Sequence, residues 1–171
     1  MTLVGVRRAG ADDVDAIVDL FVAVVDEGRW LGTEPPVDRD VHHARFLENQ
    51  NSSEAASLVA LVDNELVGHV RVDVTPYKVA GLGMMVDARW RGRGVGGALV
   101  RAAIDAARDL GAHKVALQVW PHNHVARQLY LRHGFVEEGV LRRHYPRRNG
   151  ELWDAVIMGL VLDQTSPGSP F

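Results

Sequence analysis

The 171-residue sequence contains no cysteine. That removes disulfide bridges, a thiolate nucleophile and cysteine-ligated zinc together, and it fits a reducing compartment. Nor is there an excess of either charge: 19 Lys and Arg against 22 Asp and Glu leave −3 at neutral pH. No overall field therefore draws the chain to nucleic acid or to an anionic membrane surface. Uninterrupted apolar runs fall far short of a bilayer span, and no basic-then-apolar leader opens the sequence. A cytoplasmic protein with neither membrane nor nucleic acid as partner is the expectation. Hydrophobic residues, at 47% against 24% charged, are plentiful enough for one globular domain with a real core. That domain is expected over 1–163, followed by a flexible tail over 164–171.

Periodicity outlines the elements. A short strand at Leu3 to Val6 precedes a helix with Val14, Ile17, Val18, Phe21 and Val25 at helical spacing, stopped by Gly28. Asp38 offers a cap for a second helix with Val41, Ala44 and Leu47 on one face. Ser57 to Asp63 and Leu66 to Val74 form a predicted hairpin, followed by a strand from Val79 to Val86. A helix from Gly94 to Leu110, a strand from Lys114 to Trp120 and a helix from Asn123 to Arg132 come next. Strands Phe135 to Leu141 and Leu152 to Leu162 then close the domain, joined by an Arg-rich connection over 142–150. Strands and helices alternate, as in an open-sheet α/β domain.

Between the strand ending at Val86 and the following helix lies Arg91-Gly92-Arg93-Gly94-Val95-Gly96-Gly97. Glycines there permit close approach of the backbone, and the free N–H groups and dipole of a first helical turn favour phosphate. The segment satisfies G-x-G-x-x-G, yet Asp87 to Arg91 separate it from its strand, and the next strand ends Leu117-Gln118-Val119-Trp120 without an acid. A dinucleotide site of the Rossmann kind is thereby disfavoured, and so is an oxidoreductase; no Gly-Lys-Ser/Thr follows for a Walker A loop.

Read as Arg91-x-x-Gly94-x-Gly96, the loop resembles the coenzyme A pyrophosphate loop of the Gcn5-related N-acetyltransferase (GNAT) superfamily. Further along, Asn123-His124-Val125-Ala126-Arg127-Gln128-Leu129-Tyr130, followed by Gly134-Phe135, resembles that family's later Asn-x-x-Ala-x-x-x-Tyr motif. The resemblance spans Ser57 to Leu162. It implies a mixed, mostly antiparallel central sheet of six to seven strands flanked by about four helices. It also implies an acetyl-CoA-dependent N-acetyltransferase acting on a primary amine of a small molecule or peptide, by direct attack in a ternary complex and without a metal. A sensor that binds acyl-CoA without transferring the acyl group is the alternative. The resemblance also admits a homodimer.

Site residues follow from the same resemblance. Backbone N–H groups from Arg91 through Gly92, Arg93, Gly94, Val95, Gly96 and Gly97 would hold the pyrophosphate, with the Arg91 and Arg93 side chains adding charge. Main-chain groups of Met84 and Val86 would bind the pantetheine arm as an added strand does. Asn123 would both cap its helix and contact coenzyme A, and Arg127 would lie within reach of a phosphate. Tyr130, two turns after Asn123 on nearly the same face, is the candidate general acid for the departing thiolate. The strand glutamate that many relatives use as a base is absent, Gly81-Leu82-Gly83-Met84-Met85 standing there; Glu34 is the chosen candidate beside Asp73, His69, His144 or a water chain. Arg142 to Arg148 reads as a solvated hairpin turn or as a contact for an acidic group. His122 and His124 read as polar surface rather than metal ligands. Asp154 either pairs with a loop arginine or lines the acceptor pocket.

Overall fold

The computed structural model describes residues 3–162, so the proposed tail over 164–171 lies outside the described residues. Seven strands form one sheet: β1 (Gly5–Arg8), β2 (Ala55–Val62), β3 (Glu65–Val74), β4 (Val79–Val86), β5 (Lys114–Val119), β6 (Val136–Pro146) and β7 (Leu152–Val161). Their spatial order is β1-β2-β3-β4-β5-β7-β6. Every neighbouring pair is antiparallel except β4 and β5. Helices α1 (Val14–Asp26) and α2 (Arg39–Asn49) cover one face, and α3 (Val95–Asp109) and α4 (His124–Arg132) the other. This is the mixed seven-stranded, four-helix α/β architecture expected.

Each face has its own core. Val70, Val72 and Val74 of β3 pack with Leu99, Val100 and Ala103 of α3, whereas Val59 and Met85 join Ile17, Phe21 and Phe46 on the other face. The hairpin between β2 and β3 turns on Asp63 and Asn64, both in the left-handed region at φ +48° and +66°, the geometry of a two-residue hairpin turn. Asp38 caps α2 as expected, its Oδ1 accepting from Val41 N–H at 3.1 Å.

Three features differ from the sequence reading. The α2 face is rotated: Val41 is 61% exposed while Phe46 is 6% exposed. Phe46 packs edge-on against Phe21 and His69, and this aromatic contact turns the Val41–Leu47 stripe outward. The first strand runs from Gly5 to Arg8, two residues later than its apolar stretch suggests, because its partners are Leu58 to Leu61. The strand expected to end at Leu141 continues as β6 to Pro146, resuming its pairing at Tyr145↔Trp153 after an irregularity in which Arg143 adopts φ +51°.

Gly68 fixes how closely α3 approaches β3. A Cβ there would lie 2.8 Å from Leu99 Cδ1 and 3.1 Å from Val95 Cγ1. Gly68→Val is expected to overpack this contact and destabilise the fold by about 1–3 kcal/mol. Urea unfolding checks this; an unchanged midpoint would contradict it.

Candidate active site

β4 and β5 pair at three positions only, Val79↔Lys114, Ala80↔Val115 and Gly81↔Ala116. Beyond these, β4 stays with β3 as far as Val86↔Gly68, and β5 stays with β7 as far as Val119↔Val156. The sheet therefore divides. Asp87 N–H donates to Val67 O at 2.9 Å, on the β3 side. By the alternation of a strand, the N–H and C=O groups of Met84 and Val86 point the other way, into the opening. Arg91 Nε takes up Val86 O at 3.1 Å, and the remaining groups stand where a neighbouring strand would pair.

At the end of β4, Asp87 caps a 3-10 turn over Ala88–Trp90 by accepting from Arg89 N–H at 2.8 Å. The chain then passes through Gly92 and Gly94, at φ +73° and +88°. Nothing lies within 4 Å of a Cβ at either, so these two glycines serve backbone conformation. Gly94 caps α3 without a side chain, and the first helical bond is Ala98 N–H to Gly94 O at 3.0 Å. The N–H groups of Val95, Gly96 and Gly97 thus have no partner within the helix, at its positive dipole end. Gly96 has a different reason to be glycine: its Cβ would lie 3.0 Å from Leu129 Cδ2, so it seats α3 against α4.

The arginines divide into engaged and free. Arg91 donates to both oxygens of Glu27 at 2.7 and 2.6 Å and to Val86 O at 3.1 Å. Glu27 also accepts from Trp30 Nε1 at 2.6 Å, and hydrogen bonding to Arg91 is the main cause holding its carboxyl below the usual range. Arg127 is engaged by Glu137 at 2.9 and 2.6 Å and by Pro121 O at 3.2 Å. Arg93 is exposed and stacks over Trp90 at 5.3 Å. Charge counting along the sequence had no means of finding Glu27 or Glu137, each of which comes from a separate element.

Asn123 Oδ1 accepts from Ala126 N–H at 3.2 Å, capping α4. The Tyr130 ring is buried at 6% exposure, 5.5 Å from Phe135, and burial pushes its hydroxyl above the ordinary phenol range. The phenol is therefore protonated at every physiological pH. Its oxygen is not among the sealed, unpartnered polar atoms of the described residues, which are His42 Nδ1 and Arg147 Nε.

The segment between α1 and α2 is clasped from several sides, and here the solvated-turn reading of Arg142 to Arg148, which holds for the exposed Arg142, Arg143 and Arg148, fails for Arg147. Arg147 is 7% exposed; it donates to Gly32 O at 2.9 Å, lies 3.5 Å from Glu34 Oε1 and stacks over Trp153 at 4.3 Å. Arg148 N–H donates to Glu34 Oε2 at 3.0 Å, so the Glu34 carboxylate is held by the β6–β7 turn. His122 is exposed, as polar surface should be, yet it is also engaged. Its Nε2 donates to Arg29 O at 2.9 Å, and its ring packs 6.0 Å from Trp30 and 5.1 Å from Trp153. Asp154 pairs with the loop, Oδ1 accepting from Arg143 N–H at 2.6 Å and supporting the left-handed residue. Of the other proposed bases, Asp73 is held by Arg71, and His144 stacks on Tyr145 at 4.8 Å. No helix among the described residues is long and apolar enough to cross a membrane.

The Acetyltransferase (GNAT) family matches residues 20–135. The chain belongs to the GNAT family. It is accordingly an acyltransferase. The chain is 39% identical over 109 residues to the L-amino acid N-acetyltransferase of Escherichia coli, covering 61% of this chain and 67% of that one. It is 29% identical over 170 residues to an N-alpha-acetyltransferase of Sulfurisphaera tokodaii, covering 92% of each. A GNAT superfamily phosphinothricin acetyltransferase from Sinorhizobium meliloti, solved with acetyl-CoA, superposes with a TM-score of 0.84 at 20% identity. That match covers 99% of this chain and 95% of that one, and shows a common fold.

This GNAT chain also carries a buried polar relay on the α1–α2 side. Gln50 Nε2 donates to Ser57 Oγ at 3.3 Å, and Ser57 Oγ lies 2.8 Å from His69 Nε2. Burial, helped by the charge of Arg71, pushes His69 down to about 4. The folded state therefore keeps His69 neutral while the unfolded chain takes up a proton near 6.5, so stability falls as pH drops from about 6.5 to about 4. The expected loss over that window is about 3 kcal/mol. In His69→Gln the fall should be much shallower; urea midpoints at pH 7 and pH 4.5 decide, and an unaltered slope would contradict the assignment.

Proposed function

We propose that this chain transfers the acetyl group of acetyl-CoA to the α-amine of an amino acid or of a peptide N-terminus. The observation that carries the reading is the opening between β4 and β5, with Met84 and Val86 facing it. Both the strand edge and the unpartnered N–H groups of Val95, Gly96 and Gly97 suit an extended amide-bearing arm ending in a pyrophosphate. The α-amine is favoured because one relative is named for L-amino acids and another for N-alpha acetylation.

Acetyl-CoA supplies the activated thioester. Backbone N–H groups from Arg91 to Gly97 grip its diphosphate, with exposed Arg93 adding charge. Arg91 contributes through its backbone, its guanidinium fixing the loop to Glu27. Arg127 acts from a distance, holding the start of β6 through Glu137. Asn123 uses its carbonyl oxygen for the cap and keeps its amide nitrogen for the cofactor arm. Met84 N–H would stabilise the developing oxyanion, a role worth ~3 kcal/mol for one donor.

As the amine nitrogen bonds to the acyl carbon, its excess proton leaves to solvent. The C–S bond breaks, the thiolate takes the Tyr130 hydroxyl proton, and solvent reprotonates the phenol. Glu34, held by Arg147 and Arg148, acts as a positioning residue that sets the α1–α2 loop over the acceptor.

The test is thiol release from acetyl-CoA across amino acids, peptides, polyamines and aminoglycosides, with α-amine substrates expected to dominate. Turnover confined to polyamines or aminoglycosides would overturn the acceptor class. Tyr130→Phe should lower kcat by about 100- to 10,000-fold with acetyl-CoA affinity retained; unchanged turnover would remove the hydroxyl from the mechanism. Gly94→Asp places a carboxylate at the anion cradle and should abolish acetyl-CoA binding in calorimetry. Normal affinity in the folded variant would contradict the loop's role.

A further inference from the structure

Beside the opening, on the α1–α2 face, lies a second cavity of ≈170 Å³. Phe21 of α1, Leu31 of the α1–α2 loop, Phe46 of α2 and Met85 of β4 form its walls. Gly83 and Met84 border it as well, so it adjoins the stretch of β4 whose main-chain groups face the opening. We infer that this cavity is the side-chain subsite of the acceptor, and that it selects α-amines bearing an uncharged apolar side chain about the size of leucine, methionine or phenylalanine. The inference rests on the proposed α-amine acetylation and adds which α-amines.

Size comes first. An apolar protein cavity of about 150 Å³ holds a benzene molecule, so ≈170 Å³ suits a phenyl, isobutyl or thioether group. Chemistry comes second. The two polar residues on the lining are His69 and Arg71. His69 is buried and bonded through Nε2 to Ser57, and its neutrality leaves an ionised side chain without a counter-charge. Arg71 donates from Nε to Asp73 at 2.8 Å and from Nη1 to Asn49 O at 3.3 Å, with Nη2 also on Asp73. Its guanidinium is thereby turned to these partners and neutralised by Asp73, so a lysine or arginine side chain would lose its hydration in the cavity without a counter-charge. An aspartate or glutamate side chain would give up its hydration among Phe21, Leu31, Phe46 and Met85.

Backbone geometry points the same way. Gly83 has no strained φ, and nothing lies within 4 Å of its Cβ position, although it sits mid-strand opposite Arg71. A side chain here would meet no neighbour; the space it would enter is the cavity. Gly68, one strand away, contrasts with it, being glycine because Leu99 presses upon it.

The experiment compares kcat/KM for leucine, methionine and phenylalanine with glycine, aspartate and lysine, each as the free amino acid and as its amide, at saturating acetyl-CoA. The apolar three should exceed glycine by about ten- to a hundredfold. Gly83→Val, which suits a strand and fills the cavity, should bring them down to within about threefold of glycine measured on the same variant, with the thermal midpoint little changed. Should Gly83→Val fold poorly, Leu31→Trp fills the same space from the loop. α-Amine turnover with equal efficiency for aspartate, or a preference that survives both filling variants, would overturn the subsite while leaving the α-amine reading intact. Turnover of no α-amine would overturn both.

Discussion

β4 and β5 are hydrogen-bonded neighbours for three residue pairs and then part, and the candidate site is built from what that parting leaves open. Met84 and Val86 are half-buried along this edge, and an edge left open within a sheet keeps its shape only if both flanking ladders hold it in place. They do so here: β4 is paired with β3 from Val74↔Ala80 to Gly68↔Val86, and β5 with β7 from Lys114↔Val161 to Val119↔Val156. Gly68 then lets α3 lie close against β3, which brings the glycine-capped helix terminus to the end of the same opening. Strand edge and helix end both offer open main-chain groups, for which we propose an extended amide arm carrying a diphosphate as the ligand.

The second constraint is the loop between α1 and α2. Arg91 reaches it from the glycine loop through Glu27, His122 from the β5–α4 connection through Arg29 O, and Arg147 and Arg148 from the β6–β7 turn through Gly32 O and Glu34. Trp30 sits between Arg91 and His122, its Nε1 on Glu27. These contacts join the cofactor cradle to the acceptor face. Glu34, read from the sequence as a base, and Arg91, read as a phosphate ligand, thereby acquire a structural task, which is to hold the α1–α2 loop.

Much of this was legible in the sequence where a local rule decides. Glycines 92 and 94 need positive φ, Asp38 and Asn123 cap helices, and the Asp63-Asn64 turn sets its own register. Each of these depends on residues close along the chain. The roles of Arg91 and Arg147 were not legible because their partners Glu27 and Glu34 come from distant segments, and that of Arg127 because Glu137, though only 10 residues on, belongs to another element. The orientation of α2 was misjudged for a related reason: Val41, Ala44 and Leu47 make a regular stripe, but the single ring of Phe46 meets Phe21 and His69 across the layer and decides the rotation. The cavity beside Gly83 was likewise invisible, since an empty position in a strand has no signature of its own.

The most direct test of the central claim is a titration of the isotope-labelled protein with coenzyme A, followed through its backbone amide resonances. The account predicts that the largest shifts fall on Met84, Val86 and the stretch from Gly92 to Gly97, saturating together with a single affinity. Shifts confined to other surfaces, with those amides unmoved at saturation, would contradict it.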